Sequence, residues 1–402
     1  MHALTGRPVR RRLRGYWTID VVIMMLSELT EFSTLRVALV HDFLHTSGGA
    51  EKVLCDLAAL FPHAPIYTLT YDARTAPAAL RSRTIISALP RWTHRILPAL
   101  LPMLPTMPEL WDLRDYDIVV SSSGAWSKGI VTRVNTAHVA YIHSPMRFVW
   151  DENMRYAQRR VGRLARSLPA RAIFSRLRVW DVEAAQRPDV LVANSHYTAA
   201  RIEKFYRRSA TVAYPIVPLP AEFSTEPREK FFLTVARLSE YKNVELLVEV
   251  FTRLKLPLKV VGDGRLRSTL MRRAGKTVTI CGRLSDAELT RLYRTARAVI
   301  FAAEEDFGLV PAEALSYGTP VIAYNRGGVR EIVQPGVTGE MFDALSAPVV
   351  ADGIRRFLER EESYDVKAMQ SAVERFGAEQ FVTTIRSAIR TALKQTRGTS
   401  SV

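Results

Sequence analysis

The sequence predicts an α/β protein built from two doubly wound, Rossmann-like domains, and three observations carry that prediction. Short β-branched and apolar runs alternate with segments of helical spacing from residue 35 onward. At 402 residues the chain exceeds the ~250–300 at which a single core stops growing. Pro215, Pro218 and Pro220 interrupt the alternation near its middle and mark a linker. The expected layout is residues 1–34 outside the core, a first domain over 35–215, a linker over 216–228, a second domain over 229–376 and a terminal segment over 377–402.

Composition narrows the class. Lys plus Arg number 56 against 40 Asp plus Glu, a net charge of +16. That surplus suits a polyanionic surface, either nucleic acid or anionic lipid, without choosing between them. Cys55 and Cys281 fall in different domains on apolar runs, which excludes a disulfide framework and a cysteine metal site and fits a reducing cytoplasm. Arg7, Arg10, Arg11, Arg12 and Arg14 precede the short apolar run Val21 to Leu26, which is too short to span a bilayer and lacks a small-residue cleavage site. Residues 1–34 therefore read as a flexible or membrane-touching tail, or as sequence upstream of a start at Met24 or Met25. No other segment reaches the ~18 apolar residues of a spanning helix, so any membrane contact is expected to be peripheral.

In the first domain, Leu35 to His41 is a strand, followed by Ser47-Gly48-Gly49-Ala50-Glu51 and helical spacing from Val53 to Leu60. Glycines between a strand and a helix let the backbone approach a ligand, but a plain turn uses the same residues. Over 89–110, five prolines interleave with Trp92, Ile96, Met103, Leu110 and other apolar residues. That density forbids a long helix, and the segment either packs on its own domain or offers an apolar patch to lipid. Asp115-Tyr116-Asp117 precedes the strand Ile118 to Val120 and reads as a surface turn, not a metal site. Val139 to His143 is another strand, with His143 at the C-terminal end, where open α/β sheets place ligands; a structural histidine is the alternative. Arg155, Arg159, Arg160, Arg163, Arg166, Arg171, Arg176 and Arg178 then interleave with apolar residues, as a basic surface for lipid or nucleic acid or as a solvated face. Two further strands, Asp189 to Asn194 and Ala210 to Tyr214, flank a helix from Tyr197 to Tyr206.

The second domain opens with the strand Phe231 to Arg237, and Arg237 and Lys242 place two cations over one loop. Leu258 to Val261 is a strand ending in Gly262-Asp263-Gly264, without the third glycine of a dinucleotide fingerprint, so NAD is not supported. Val278 to Cys281 leads through Gly282-Arg283-Leu284-Ser285 into a capped helix. Val299 to Phe301 is the next strand; Glu305 lies on the loop after it, and Pro311 opens a helix that carries Glu313. Two carboxylates near a helix start can hold hydroxyls, while free N–H groups from Gly308 to Val310 face an anion. A sugar joined to a nucleotide by a diphosphate offers both kinds of group.

Glu305 and Glu313, with Phe307-Gly308 between them and Gly318-Thr319-Pro320-Val321 after, resemble the Glu-x7-Glu signature of retaining nucleotide-sugar glycosyltransferases of the GT-B fold, family 4 (group 1). The resemblance continues through Gly327-Gly328-Val329-Arg330-Glu331-Ile332-Val333 and Gly336-Val337-Thr338-Gly339, and it covers about residues 35–395. Tyr141-Ile142-His143-Ser144-Pro145-Met146-Arg147, with Trp150-Asp151, is similar to a segment of mannosyltransferases of surface-polysaccharide assembly. The family's fold is two Rossmann-like domains facing a cleft. The resemblance implies a catalytic set of Glu305, His143, Arg237 and Lys242. It implies that Arg237 and Lys242 hold the donor diphosphate, with Gly48, Gly49 and Gly262 nearby; Arg283 and Leu284 lie beside the nucleobase by backbone contact. Glu305 and the backbone of Phe307, Gly308, Leu309 and Val310 hold the sugar, Glu313 the ribose, and His143 contacts the transferred sugar. A helix from Gln380 to Leu393 crosses back to the first domain. Asn243 follows Lys242 where the family usually has glycine, which leaves that helix start less certain. No metal or cofactor is expected beyond the nucleotide-sugar co-substrate, with GDP-mannose expected and a UDP-sugar the alternative. The acceptor implied is a polyprenyl-diphosphate-linked saccharide at the anionic inner face of the cell membrane, with no nucleic acid. Two rivals remain: a basic nucleic-acid-binding protein, which leaves the carboxylates without a role, and an idle sugar-binding scaffold.

Overall fold

The computed structural model describes residues 30–97, 99–151, 168–220 and 227–398. They form two compact units. Unit 1 takes residues up to Asn194, Thr198–Ile216 and the chain from Ala378 onward; unit 2 takes Ser195–Tyr197 and Val217–Gly377.

Unit 1 is built on a seven-stranded parallel sheet of order β3-β2-β1-β4-β5-β6-β7. Its strands are β1 (Val37–His41), β2 (Ile66–Thr70), β3 (Ile85–Leu89), β4 (Ile118–Ser123), β5 (Ala137–Ile142), β6 (Val190–Ala193) and β7 (Thr211–Val212). The central strands read as nearly continuous apolar runs because both sheet faces are covered. In β1, Leu39 faces one core while its neighbours Ala38 and Val40 face the other, as the two-residue pleat requires. Helices α1 (Gly49–Leu60), α2 (Leu168–Ala184) and α3 (His196–Tyr206) supply the layers.

Unit 2 repeats the plan with six parallel strands in the order β10-β9-β8-β11-β12-β13. These are β8 (Phe232–Val235), β9 (Leu258–Val261), β10 (Val278–Gly282), β11 (Ala298–Phe301), β12 (Val321–Tyr324) and β13 (Gly339–Phe342). Its helices are α4 (Val244–Leu254), α5 (Arg267–Arg273), α6 (Asp286–Thr295), α7 (Leu309–Ser316), α8 (Ala347–Glu359) and α9 (Val366–Ser371). The last helix, α10 (Ala378–Gly398), belongs to unit 1, where Phe381, Val382, Ile385 and Ile389 join the core formed by Leu39, Val120 and Tyr141.

In each sheet the strand order reverses once, between β1 and β4 in unit 1 and between β8 and β11 in unit 2. Helices connecting to opposite faces leave a crevice at the carboxyl ends of those strands, the usual ligand position of a doubly wound sheet.

Two boundary expectations need correction. Residues 30–34 are part of the fold: Phe32 is buried in the first core, and Glu31 pairs with Arg386 and Arg390 of α10, each at 2.7 Å. The rest of the expected tail lies outside the described residues. The 216–228 segment is not a free linker at its ends, because Val217 is buried and Arg228 donates to the Ala296 and Gly318 carbonyls and to Thr319 Oγ1. The Pro-rich 89–110 stretch does not choose between its two alternatives. It forms short 3-10 turns whose Leu104 and Pro108 are buried, yet Trp92, Met103 and Leu110 stay exposed. Of the arginine-rich segment, Arg155 to Arg166 lie outside the described residues, and α2 spends its apolar side burying Phe174 and Leu177.

Candidate active site

The crevice of unit 2 gathers the carboxylate and one of the cations. A 3-10 turn, Glu240–Lys242, carries Lys242 beyond β8, and Asn243 closes it in the left-handed region at φ 54°. The side-chain amide of Asn243 donates to the Ala302 carbonyl, 2.8 Å away, tying this turn to the end of β11. That explains a residue other than glycine at this position: asparagine is among the few that tolerate this φ. Across the crevice Glu305 forms an ion pair with Lys242. The Glu305 backbone is pinned independently. Gly328 N–H donates to its carbonyl at 2.9 Å, and Gly327, at φ 79°, comes so close that a Cβ there would lie 2.2 Å from the same oxygen.

Gly308, at φ 105°, turns the chain into α7. As first-turn residues, Leu309 and Val310 have N–H groups that the helix itself cannot satisfy, and Pro311 adds none. Phe307 is buried edge-on against Phe376 with ring centres 5.2 Å apart, so only its backbone is offered to a ligand. Glu313 is buried on α7, and the hydroxyl of Tyr293, on α6, donates to its Oε2 at 3.0 Å. Tyr293 is itself held by stacking on Tyr317, 5.7 Å between ring centres. Arg237 is exposed after β8 and Arg283 after β10, with Leu284 partly buried beside it. Gly262 has a packing reason to be glycine: at φ 130° a Cβ would strike the Ala236 carbonyl at 1.9 Å. Ser285 caps α6 by the expected reciprocal pair with Glu288.

In unit 1, His143 follows β5, and its Nε2 lies 2.7 Å from Ser122 Oγ. The same hydroxyl is 3.0 Å from Nδ1 of the buried His41. One proton on Ser122 Oγ cannot serve both rings as donor, so at least one of the two imidazoles must donate to it. Burial, and then the neighbouring His41, holds the His143 imidazole down at about 3, so it is neutral near neutral pH. Asp42, adjoining His41, accepts the N–H groups of Gly124, Ala125, Trp126 and Ser127 at 2.6–2.9 Å, which fixes the loop after β4. Beneath that loop Lys128 and Asp181 form a fully buried pair at 2.6 Å. Gly48 N-caps α1 in extended conformation, and Glu51 in its first turn accepts from Thr46 at 2.9 Å. Asp117 of the Asp-x-Asp turn is engaged structurally, accepting the Arg36 N–H at 2.8 Å.

Sequence reasoning missed His41, Asp42, Ser122 and Tyr293. Only the polar run Ser121-Ser122-Ser123 at a strand end could have signalled one of them; the others act through partners distant in the chain.

Comparison with known proteins places these crevices in a family. The family model for glycosyl transferases group 1 matches residues 219–372, and that for glycosyltransferase family 4 matches residues 47–219. The O-antigen chain mannosyltransferase C of Escherichia coli is 22% identical over 366 residues, 84% of this chain and 92% of that protein. The sulfoquinovosyl transferase SQD2 of Arabidopsis thaliana is 29% identical over 170 residues, 40% of this chain, and the match spans only 33% of that protein's length. Among solved structures, HepE of Anabaena in complex with UDP superposes with a TM-score of 0.64 at 18% identity, covering 89% of this chain and 100% of that one. Two adjoining domain models, a shared double Rossmann-like architecture and the Glu-x7-Glu loop in the second domain agree: the chain belongs to the family 4 (group 1) glycosyltransferases of the GT-B fold.

Proposed function

We propose that the chain is a retaining hexosyltransferase that moves mannose from GDP-mannose onto a polyprenyl-diphosphate-linked saccharide in surface-polysaccharide assembly. The observation that carries the glycosyl-transfer reading is the unit 2 crevice, where a cation, a carboxylate and the amide-rich start of α7 adjoin within one switch point. In this reading Lys242 and Arg237 neutralise the departing diphosphate, the α7 N–H groups and Glu305 hold the sugar, and Glu313, oriented by Tyr293, holds the ribose. His143 contacts the transferred sugar. The bond from the anomeric carbon to the diphosphate breaks, the acceptor oxygen bonds to that carbon on the same face, and the acceptor's proton passes to a diphosphate oxygen.

In this reading the two cations take the role a metal plays elsewhere, so activity is expected to persist in excess EDTA. The mannose donor is supported by the segment around His143 and by similarity to the O-antigen mannosyltransferase. A uridine donor is the second reading, favoured by the likeness to HepE, which was solved with UDP.

Calorimetry of the purified chain with GDP-mannose against UDP-glucose tests the donor, and tighter binding of the uridine sugar replaces the first reading with the second. Glu305→Ala should cut turnover at least ~100-fold with the melting temperature kept, the range for losing one transition-state contact. Near-normal transfer by that variant refutes the site.

A further inference from the structure

The ion pair across the unit 2 crevice sets a constraint on what can bind there. Lys242 and Glu305 have side chains only 11% and 24% exposed, and their loops are pinned separately, by Asn243 onto Ala302 and by Gly328 onto Glu305. The backbones are therefore fixed, and the side chains are the part that can respond to a ligand. If the donor binds as proposed above, on which this inference rests, the Lys242 ammonium faces two anionic partners: the Glu305 carboxylate and the diphosphate.

We propose that Glu305 is a specificity-determining residue that competes with the diphosphate for Lys242 and thereby makes the site favour an intact nucleotide sugar over a bare nucleoside diphosphate. A bare nucleoside diphosphate draws Lys242 toward its phosphates and leaves a largely buried carboxylate without that cation, beside new negative charge. Both effects oppose binding. An intact donor brings sugar hydroxyls that donate to the same carboxylate and offset the loss. Once the sugar has been transferred that compensation is gone, Glu305 recovers Lys242, and the nucleoside diphosphate is released. One residue thus serves donor selection and product departure.

The test is calorimetry of the full chain with GDP, UDP, GDP-mannose and UDP-glucose, on the wild type and on Glu305→Gln, Glu305→Ala and Glu304→Gln. An amide needs no cation, so Glu305→Gln should bind the preferred nucleoside diphosphate about tenfold tighter or more, and bind its sugar conjugate no tighter. Glu305→Ala should shift diphosphate affinity in the same direction, which covers the case of a misplaced glutamine. Glu304→Gln removes the same charge from an exposed neighbour, and it should change neither affinity by more than about twofold, because exposed charges are screened. Diphosphate binding that is unchanged or weaker in both Glu305 variants overturns the inference while leaving the donor site standing. An equal gain from Glu304→Gln overturns it as well, since long-range charge would then suffice. Absence of nucleotide binding in the wild type and every variant removes the donor reading and this inference with it.

Discussion

His138 is wholly enclosed in β5, with Nε2 2.8 Å from Ser121 Oγ and Nδ1 without a hydrogen-bond partner. Burial, and then the charges of Arg208 and Arg187, lowers its pKa to about 3 from an ordinary 6.5. Because the folded value lies below the unfolded one, the unfolded chain takes up the proton first as pH falls. The stability this neutral imidazole allows is therefore complete above pH 6.5 and is lost progressively from there toward pH 3. Between about pH 6.5 and 4.5 this one group should cost on the order of 2 kcal/mol. Urea unfolding of unit 1 followed across that range checks the slope, with His138→Gln as reference. A wild type no more acid-sensitive than the variant would show that the imidazole is already protonated in the fold.

At the scale of elements, the turn into α4 shows how one side chain joins two secondary structures. Asn243 both adopts positive φ and reaches the end of β11, so its replacements separate the two contributions. Asn243→Gly keeps the backbone conformation and loses a hydrogen bond, a cost of about 1 kcal/mol. Asn243→Ala loses the bond and also strains the backbone, adding roughly 1–2 kcal/mol. Equal denaturation midpoints for the two variants would mean that the left-handed conformation is not demanded here. Because this turn carries Lys242, Asn243→Ala should also weaken diphosphate binding more than Asn243→Gly does.

For the whole molecule, the question is where it works. Among the described residues no helix is long and apolar enough to cross a membrane. Unit 1 nevertheless exposes Trp92 at 62%, Met103 at 56% and Leu110 at 68% within one proline-rich stretch, and the chain carries a net charge of +16. We propose peripheral attachment to an anionic bilayer through this stretch: its exposed aromatic and aliphatic side chains enter the interface, and each nearby basic residue adds ~1 kcal/mol. Flotation with vesicles containing anionic lipid at low salt should carry the protein upward. Trp92→Ser with Leu110→Ser should lower the vesicle partition coefficient by about a hundredfold or more, the loss expected for two large apolar groups at roughly 1.5 kcal/mol each. Protein that stays in solution with anionic and neutral vesicles alike would refute the attachment.

The two α/β domains are legible in the order of residues alone, because buried parallel strands must be continuous apolar runs and the helices between them must show helical spacing. It also located the Glu305 loop and the start of α7, whose signals are local: an apolar strand, a glycine and a first-turn proline within a dozen residues. Partnerships closed over long separations depend instead on how the strands assemble into sheets. Lys242 meets Glu305 because β8 and β11 are neighbours in the sheet, though their first residues, Phe232 and Ala298, lie 66 positions apart. Ser122 lies between His41 and His143 because β4 pairs with both β1 and β5. Tyr293 reaches Glu313, and Phe32 with α10 completes a core formed by strands far along the chain. Periodicity and turn chemistry act within a few residues and are written in order; the register of a doubly wound sheet is set by packing, and it is packing that brought these side chains together.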